Sequence, residues 1–148
     1  MAAALTILAR ERGGPNIARQ ILLMPMLDDR TPAPDPHIAP YLVWSYDDSR
    51  TAWPALLGDS AGGPDVPPTA APARLKDATG LRAAYIEVGQ LDVFRGEDTA
   101  YATKHSGAGV PVEFHLHRGA PHEFDSIGFT SDVARRAIAD RVRVLKSL

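Results

Sequence analysis

Three short apolar runs set the strongest limit on what this chain can fold into. Gln20 to Met24 (Q-I-L-L-M) is almost continuously apolar and ends at Pro25. Ala83 to Val88 (A-A-Y-I-E-V) is the second run and closes at Gly89. Val110 to His117 alternates well enough to be the third. Runs of this length suit strands buried on both faces, as in a parallel sheet. The segments between them read as helical. Met1 to Arg12 is rich in Ala and Leu and stops at Gly13-Gly14-Pro15. Asp47 to Leu57 is a second candidate, with Asp47, Asp48 or Ser49 as its cap. Pro54 inside it predicts two pieces. Arg95 to Ser106 precedes Gly107-Ala108-Gly109, and Ser131 opens a terminal helix reaching Leu148. Its predicted apolar stripe is Val133, Ala134, Ala137, Ile138, Val142 and Leu145. Thr31 to Pro40 and Gly58 to Pro72 are loop-like, rich in Pro, with Gly in the second. Strand and helix therefore alternate, which means an α/β fold with about three parallel strands and crossover helices. A three-stranded sheet has two edges to protect, and the apolar Gln20–Met24 strand invites self-association through one of them.

The 148 residues match one ordinary domain by length, and 45% hydrophobic content is enough for a core. The net charge of −2 argues against nucleic acid or an anionic membrane as partner. No apolar run is long enough to span a bilayer, and the N-terminus lacks the basic start of a secretory signal. Zero cysteines remove disulfides, thiolate catalysis and Cys-based metal sites. These features point to a cytoplasmic, enzyme-like domain with no cofactor and no metal.

Sites in parallel α/β sheets gather where strands end at their carboxyl side. Gly89-Gln90-Leu91-Asp92 follows the second strand, and His117 to Phe124, containing His122, follows the third. An Asp there could orient a His that acts as general base. From the residues alone, the plainer reading makes Asp92 a helix cap and His122 a surface-loop residue. His115 and His117 share one strand face, where two exposed histidines are the default over a metal site. Asp28 and Asp29 could mark an acidic metal or phosphotransfer site. The basic residues of the terminal helix, Arg141 among them, read as a solvated face.

The wording of several motifs goes further. G-x-L-D-x-F-R at Gly89–Arg95, the acidic Glu97-Asp98, G-V-P-V-E-x-H at Gly109–His115 and G-A-P-H-x-F-D at Gly119–Asp125 occur in order. They resemble the C-terminal half of α/β-hydrolase carboxylesterases of the hormone-sensitive-lipase-like branch. Ala2–Pro15 looks like the helix after that family's nucleophile elbow, and Gln20–Arg30 like its sixth strand and following loop. Trp53–Arg74 is similar to the stretch before its seventh strand. The resemblance implies a partial α/β-hydrolase fold carrying the family's last three strands. Residues 1–148 would form a single C-terminal part without elbow, oxyanion loop or cap. It implies Asp92 and His122 as catalytic acid and base, and a small acyl ester as substrate. Three positions depart from the pattern: Glu123 stands for the usual Gly, Gly96 for a frequent Asp, and Gln90 for an acidic or small residue.

The chain also spells a nucleophile signature, Gly58-Asp59-Ser60-Ala61-Gly62. An elbow needs a strand before it and a helix after it. Ser60 instead follows a helix-like segment and precedes Pro64-Asp65-Val66-Pro67-Pro68. Ser60 is therefore expected to be a decoy. No His-Gly-Gly motif for oxyanion donors occurs. The leading expectation is an esterase-type hydrolase portion with little activity alone. The alternatives are a complete minimal esterase using Ser60, or a non-catalytic module that self-associates.

Overall fold

A computed structural model describes residues 1–148. Its elements in chain order are α1 (Ala2–Arg12), β1 (Gln20–Leu23), α2 (Tyr46–Leu57), β2 (Ala84–Gly89), α3 (Arg95–Gly107), β3 (Val112–His117), α4 (Phe124–Ile127) and α5 (Asp132–Lys146). Short 3₁₀ turns lie at Ala39–Tyr41, Gly58–Ser60 and Pro72–Arg74. The strands form one parallel sheet in the order β1-β2-β3. Gln20 pairs with Ala84, Ala84 with Val112, and Gly89 with His117. The expected partial α/β architecture with three parallel strands is what the chain adopts.

β2 is the central strand, and all six of its residues are buried. Ala84 and Ile86 face α1 and α3, where Ala3, Leu22, Leu27, Tyr101 and Ala102 complete a cluster. Tyr85 and Glu87 point to the other face, beneath α5. A second cluster gathers at the carboxyl ends of the strands, with Met24, Val88, Phe94, Ala120 and Phe124 joined by Ala134 and Ala137 of α5.

Several local expectations need correction. α2 is one helix, not two pieces: Pro54 lies inside it without interrupting it. Its cap is Ser45 rather than Asp47, Asp48 or Ser49. The Ser45 hydroxyl accepts from the Asp48 amide at 3.1 Å, and the Ser45 amide donates to the Asp48 carboxylate at 2.8 Å. This reciprocal pair is a capping box. Ser131 does cap α5, accepting from the Ala134 amide. The α5 stripe is the largest correction. Ala134, Ala137 and Val144 are buried, whereas Ile138, Val142 and Leu145 are exposed. The inner face includes Arg141, whose side chain is only 14% exposed. Rotation of the helix follows the partners it meets: Ala134 and Ala137 pack on the apolar cluster at the strand ends, and Arg141 turns in to the Glu87 carboxylate. α4 and the 3₁₀ turns are each too short to show a period in the sequence.

Candidate active site

The loops after β2 and β3 continue as a backbone zipper past the end of the sheet. The Gln90 amide donates to the His117 carbonyl and the Leu91 amide to the Ala120 carbonyl, each at 2.9 Å. The Gln90 side-chain carbonyl accepts from the Gly119 amide at 2.9 Å. Gln90, a departure from the family pattern, thus tethers the histidine loop. Gly89 has to be glycine here: a Cβ on it would collide with the backbone of Ala120 and Pro121.

The zipper delivers Asp92 and His122 to each other. His122 Nδ1 lies 2.8 Å from Asp92 Oδ2. The other Asp92 oxygen accepts from the Phe94 amide at 3.0 Å, and Asp92 has no solvent exposure. Asp92 does not cap α3, whose N-cap residue is Phe94. His122 is no open surface residue either, with a side chain 14% exposed. Its ring meets Phe94 edge-on at 5.3 Å and Trp44 at 6.2 Å. The Trp44 indole is held by a 3.0 Å bond to the Ser49 hydroxyl. Burial alone would lower the His122 pKa. The hydrogen bond and charge of Asp92, with Glu123 and Asp125 behind it, outweigh burial and raise it. Nδ1–H therefore donates to Asp92, and Nε2 forms no bond within the chain. That is the arrangement of a general base whose tautomer is set by a buried carboxylate.

Two residues with side chains take left-handed backbone conformations: Glu123, next to His122 in the chain, and Met24, which meets Glu123. Met24 has φ 47° at the end of β1 and Glu123 has φ 53°. They touch, with the Glu123 amide directed at the Met24 sulfur at 3.2 Å. The left-handed region explains why glycine suits position 123. Glu123→Gly is expected to stabilise the chain by about 0.5–1 kcal/mol net, after glycine's own entropy cost. It also removes a carboxylate near the imidazole. Thermal unfolding, together with an NMR titration showing a lower His122 pKa, checks both effects.

The structure does not bring Ser60 to this pair. Ser60 ends the 3₁₀ turn after α2, and its hydroxyl donates to the Leu57 carbonyl at 2.6 Å. The surrounding glycines serve a turn. Gly58 and Gly62 have positive φ, and a Cβ on Gly63 would press on the Ser60 carbonyl. Asp29 holds this loop, accepting from the Gly62 amide at 2.7 Å and from Arg74 at 2.6 and 2.8 Å. Asp28 pairs with Arg30. The two aspartates are thus structural anchors rather than an acidic site.

His115 and His117 are not exposed strand histidines. His115 bonds Glu113 at 2.8 Å, and His117 lies 3.5 Å from Glu87. No group of three or more His, Asp or Glu side chains converges to hold a metal ion. Sequence reasoning missed Trp44 and Met24, and had Glu97 only as part of an acidic motif without its structural tie. Glu97 accepts from the amides of Leu27 and Asp28, tying the loop after β1 to α3. Nothing local marks Trp44 or Met24, because Trp44 meets His122 and Met24 meets Glu123 only through long-range packing.

A profile for the α/β-hydrolase fold matches residues 1–126. The chain belongs to that family. No curated protein matches the sequence. Among solved structures, this α/β-hydrolase chain is similar to a bacterial heroin esterase at 34% identity and TM-score 0.83. The match covers 93% of this chain and 44% of that one. The esterase LipW from Mycobacterium marinum is 29% identical with TM-score 0.82, over 97% of this chain and 44% of its own. A hormone-sensitive lipase from a metagenome library shares the fold at 22% identity and TM-score 0.84, over 98% of this chain and 49% of its own. The chain therefore spans less than half the length of these relatives. The expected likeness to esterase-type α/β-hydrolases is borne out. No helix is long and apolar enough to cross a membrane.

Proposed function

We propose that this chain supplies the acid and base of a Ser-His-Asp carboxylesterase, with Asp92 and His122 in those roles. The observation that carries the reading is the 2.8 Å bond from His122 Nδ1 to a fully buried Asp92, at the carboxyl ends of the strands. His122 Nε2 would take the proton of a serine hydroxyl as that oxygen attacks a small acyl ester. It would then protonate the leaving alcohol and later activate water against the acyl-enzyme. Asp92 stabilises the imidazolium and holds its orientation.

The serine and the oxyanion donors come, in this reading, from an upstream half-domain lying along β1. β1 pairs on one side only. Along its free side runs an apolar groove of about 670 Å³, lined by Met1, Ile21, Leu23, Met26, Trp53 and Leu56 among others. Met1 and Leu23 share this groove, so the start of α1 lies near the carboxyl end of β1. A strand entering α1 would end beside the site, and right-handed crossover places it on the free β1 edge.

Hydrolysis of p-nitrophenyl acetate tests the proposal. The chain alone should show little activity. A chimera joining the upstream half of the 34%-identical esterase to Met1 should be active. Its kcat should fall by about 10⁴ in Asp92→Asn, by analogy with the wrong-tautomer effect. Ser60→Ala should leave it unchanged. Full activity of the chain alone, lost on Ser60→Ala, would overturn the proposal.

A further inference from the structure

A second cavity, of about 780 Å³, opens between the last turn of α1, the loop around residues 64–77 and the last turns of α3. Five cations line it: Arg10, Arg30, Arg74, Lys76 and Lys104, against one lining carboxylate, Asp77. Arg30 and Arg74 each have a carboxylate behind them, Asp28 and Asp29. Counting these, three carboxylates face five cations, which leaves two positive charges in excess. Arg10, Lys76 and Lys104 form no ion pair; the Asp77 carboxylate instead accepts from the Thr79 amide at 2.8 Å.

The way these cations are held matters more than their number. Lys104 Nζ donates to the carbonyls of Ala73 and Leu75, and Arg10 donates to those of Asp77 and Thr79. Backbone carbonyls fix the position of a cation without cancelling its charge. A third Nζ hydrogen on Lys104 and the remaining guanidinium hydrogens of Arg10 are unused. Burial lowers the Lys104 pKa, and the like charge of Arg30 lowers it further. The cluster therefore stores repulsion that an anion would relieve, and its donors are ordered in advance, which reduces the entropy cost of binding. Planar guanidinium forks beside point-charge ammoniums match a phosphate group better than a single carboxylate. Pro64, Val66 and Pro68 supply an apolar wall to the same cavity.

We infer that this cavity binds a phosphate-bearing small molecule through Arg10, Arg30, Lys76 and Lys104. The site is separate from the Asp92–His122 pair. Lys104 lies nine residues along α3 from Arg95, roughly 13 Å down the helix axis. The inference does not rest on esterase activity, so either reading can fail without the other.

Calorimetric titration of the 148-residue chain with pyrophosphate, inorganic phosphate and ADP tests it. Saturable one-to-one binding of pyrophosphate, weakened by added salt, is expected. Lys76→Gln and Arg30→Gln should each weaken it by about tenfold, the loss of one charge-assisted contact. Lys76 is exposed and unpaired, so its variant should keep the fold even if Arg30→Gln perturbs the Asp28 loop. Arg135→Gln, on α5, is the control and should bind as the parent does. ADP binding tighter than pyrophosphate identifies a carried phosphate using the apolar wall. Equal or weaker ADP binding identifies the free anion. Absence of saturable binding by any of the three probes overturns the inference. So does unchanged affinity in Lys76→Gln, or an equal loss in Arg135→Gln.

Discussion

Arg141→Ala is expected to destabilise the chain by about 3–5 kcal/mol, the range for stranding a buried charge. Glu87 lies in the middle of the central strand with no solvent exposure. One of its oxygens receives Arg141 Nε at 2.7 Å, and the other receives the Tyr85 hydroxyl at 2.6 Å. Burial would raise the Glu87 pKa, but the nearby His117 and the bonds from Tyr85 and Arg141 bring it below the usual value. The carboxylate is thus ionised inside the protein and depends on a single guanidinium for compensation. Arg141 also reaches Asp125 through Nη1, at 2.5 Å. Asp125 lies in α4, three residues after His122. Removing the arginine therefore frees both the sheet carboxylate and the short helix behind the histidine loop. Urea unfolding gives the stability change. The paired substitution Glu87→Gln/Arg141→Met should cost clearly less than Arg141→Ala alone, because no bare charge remains. Equal costs would show that Arg141 acts through packing and not through charge.

Stability should fall as pH rises from mildly acidic to alkaline. Burial pushes the Glu97 carboxyl up to about 8, with Asp28 and Asp92 adding like charge against the two amides that favour ionisation. Asp98, the next residue, has no exposure and neither carboxylate oxygen has a hydrogen-bond partner. Burial, with Glu97 and Asp92 nearby, raises its pKa well above the ordinary value. Both groups hold protons in the folded state that the unfolded chain releases near pH 4. Between that point and the folded pKa the native state binds more protons, so stability declines as pH rises. His122, also raised, contributes in the same sense over its own window. Toward strong acid the sign reverses, because Asp29, Glu87 and Glu113 have lowered pKa values and lose their partners on protonation. Tm should accordingly peak at mildly acidic pH. Asp98→Ala removes an unsatisfied buried carboxyl worth about 1–3 kcal/mol. It should raise Tm at pH 8 by about 3 °C per kcal/mol gained. The gain should shrink at pH 5, where the parent side chain is protonated at little cost. A gain that does not change with pH would show that Asp98 is not the titrating group.

These two networks also mark the limit of what could be read from residue order. The strands were legible because burial on both faces leaves a continuous apolar run, as in Gln20–Met24. The long helices were legible from their stops, such as Gly13-Gly14-Pro15 and the glycines after Ser106. Glu87 was visible only as a polar letter in an apolar strand, and nothing local said that Arg141 would neutralise it. The error on α5 has the same origin. Its most apolar stripe, with Ile138, Val142 and Leu145, is the exposed one. The buried face is set jointly by the apolar cluster under Ala134 and Ala137 and by the Glu87 carboxylate that draws Arg141 inward, which helical periodicity cannot sense. Ser60 shows the converse, a motif complete in spelling that lacks the strand and helix an elbow requires.

By itself, the amino-acid order determined an alternating α/β chain, its three strands, the esterase-type likeness and the two loops carrying Asp92 and His122. Each of these follows from local physics or from short words in the sequence, and none needs knowledge of distant neighbours. Tertiary structure alone decided that the two loops zip together and that Gly89 admits the histidine loop. It alone placed Trp44 at His122 and Met24 at Glu123, and gathered five cations around one cavity. Those outcomes depend on which faces of separate elements meet, and the energy of a meeting belongs to pairs of residues far apart in the chain.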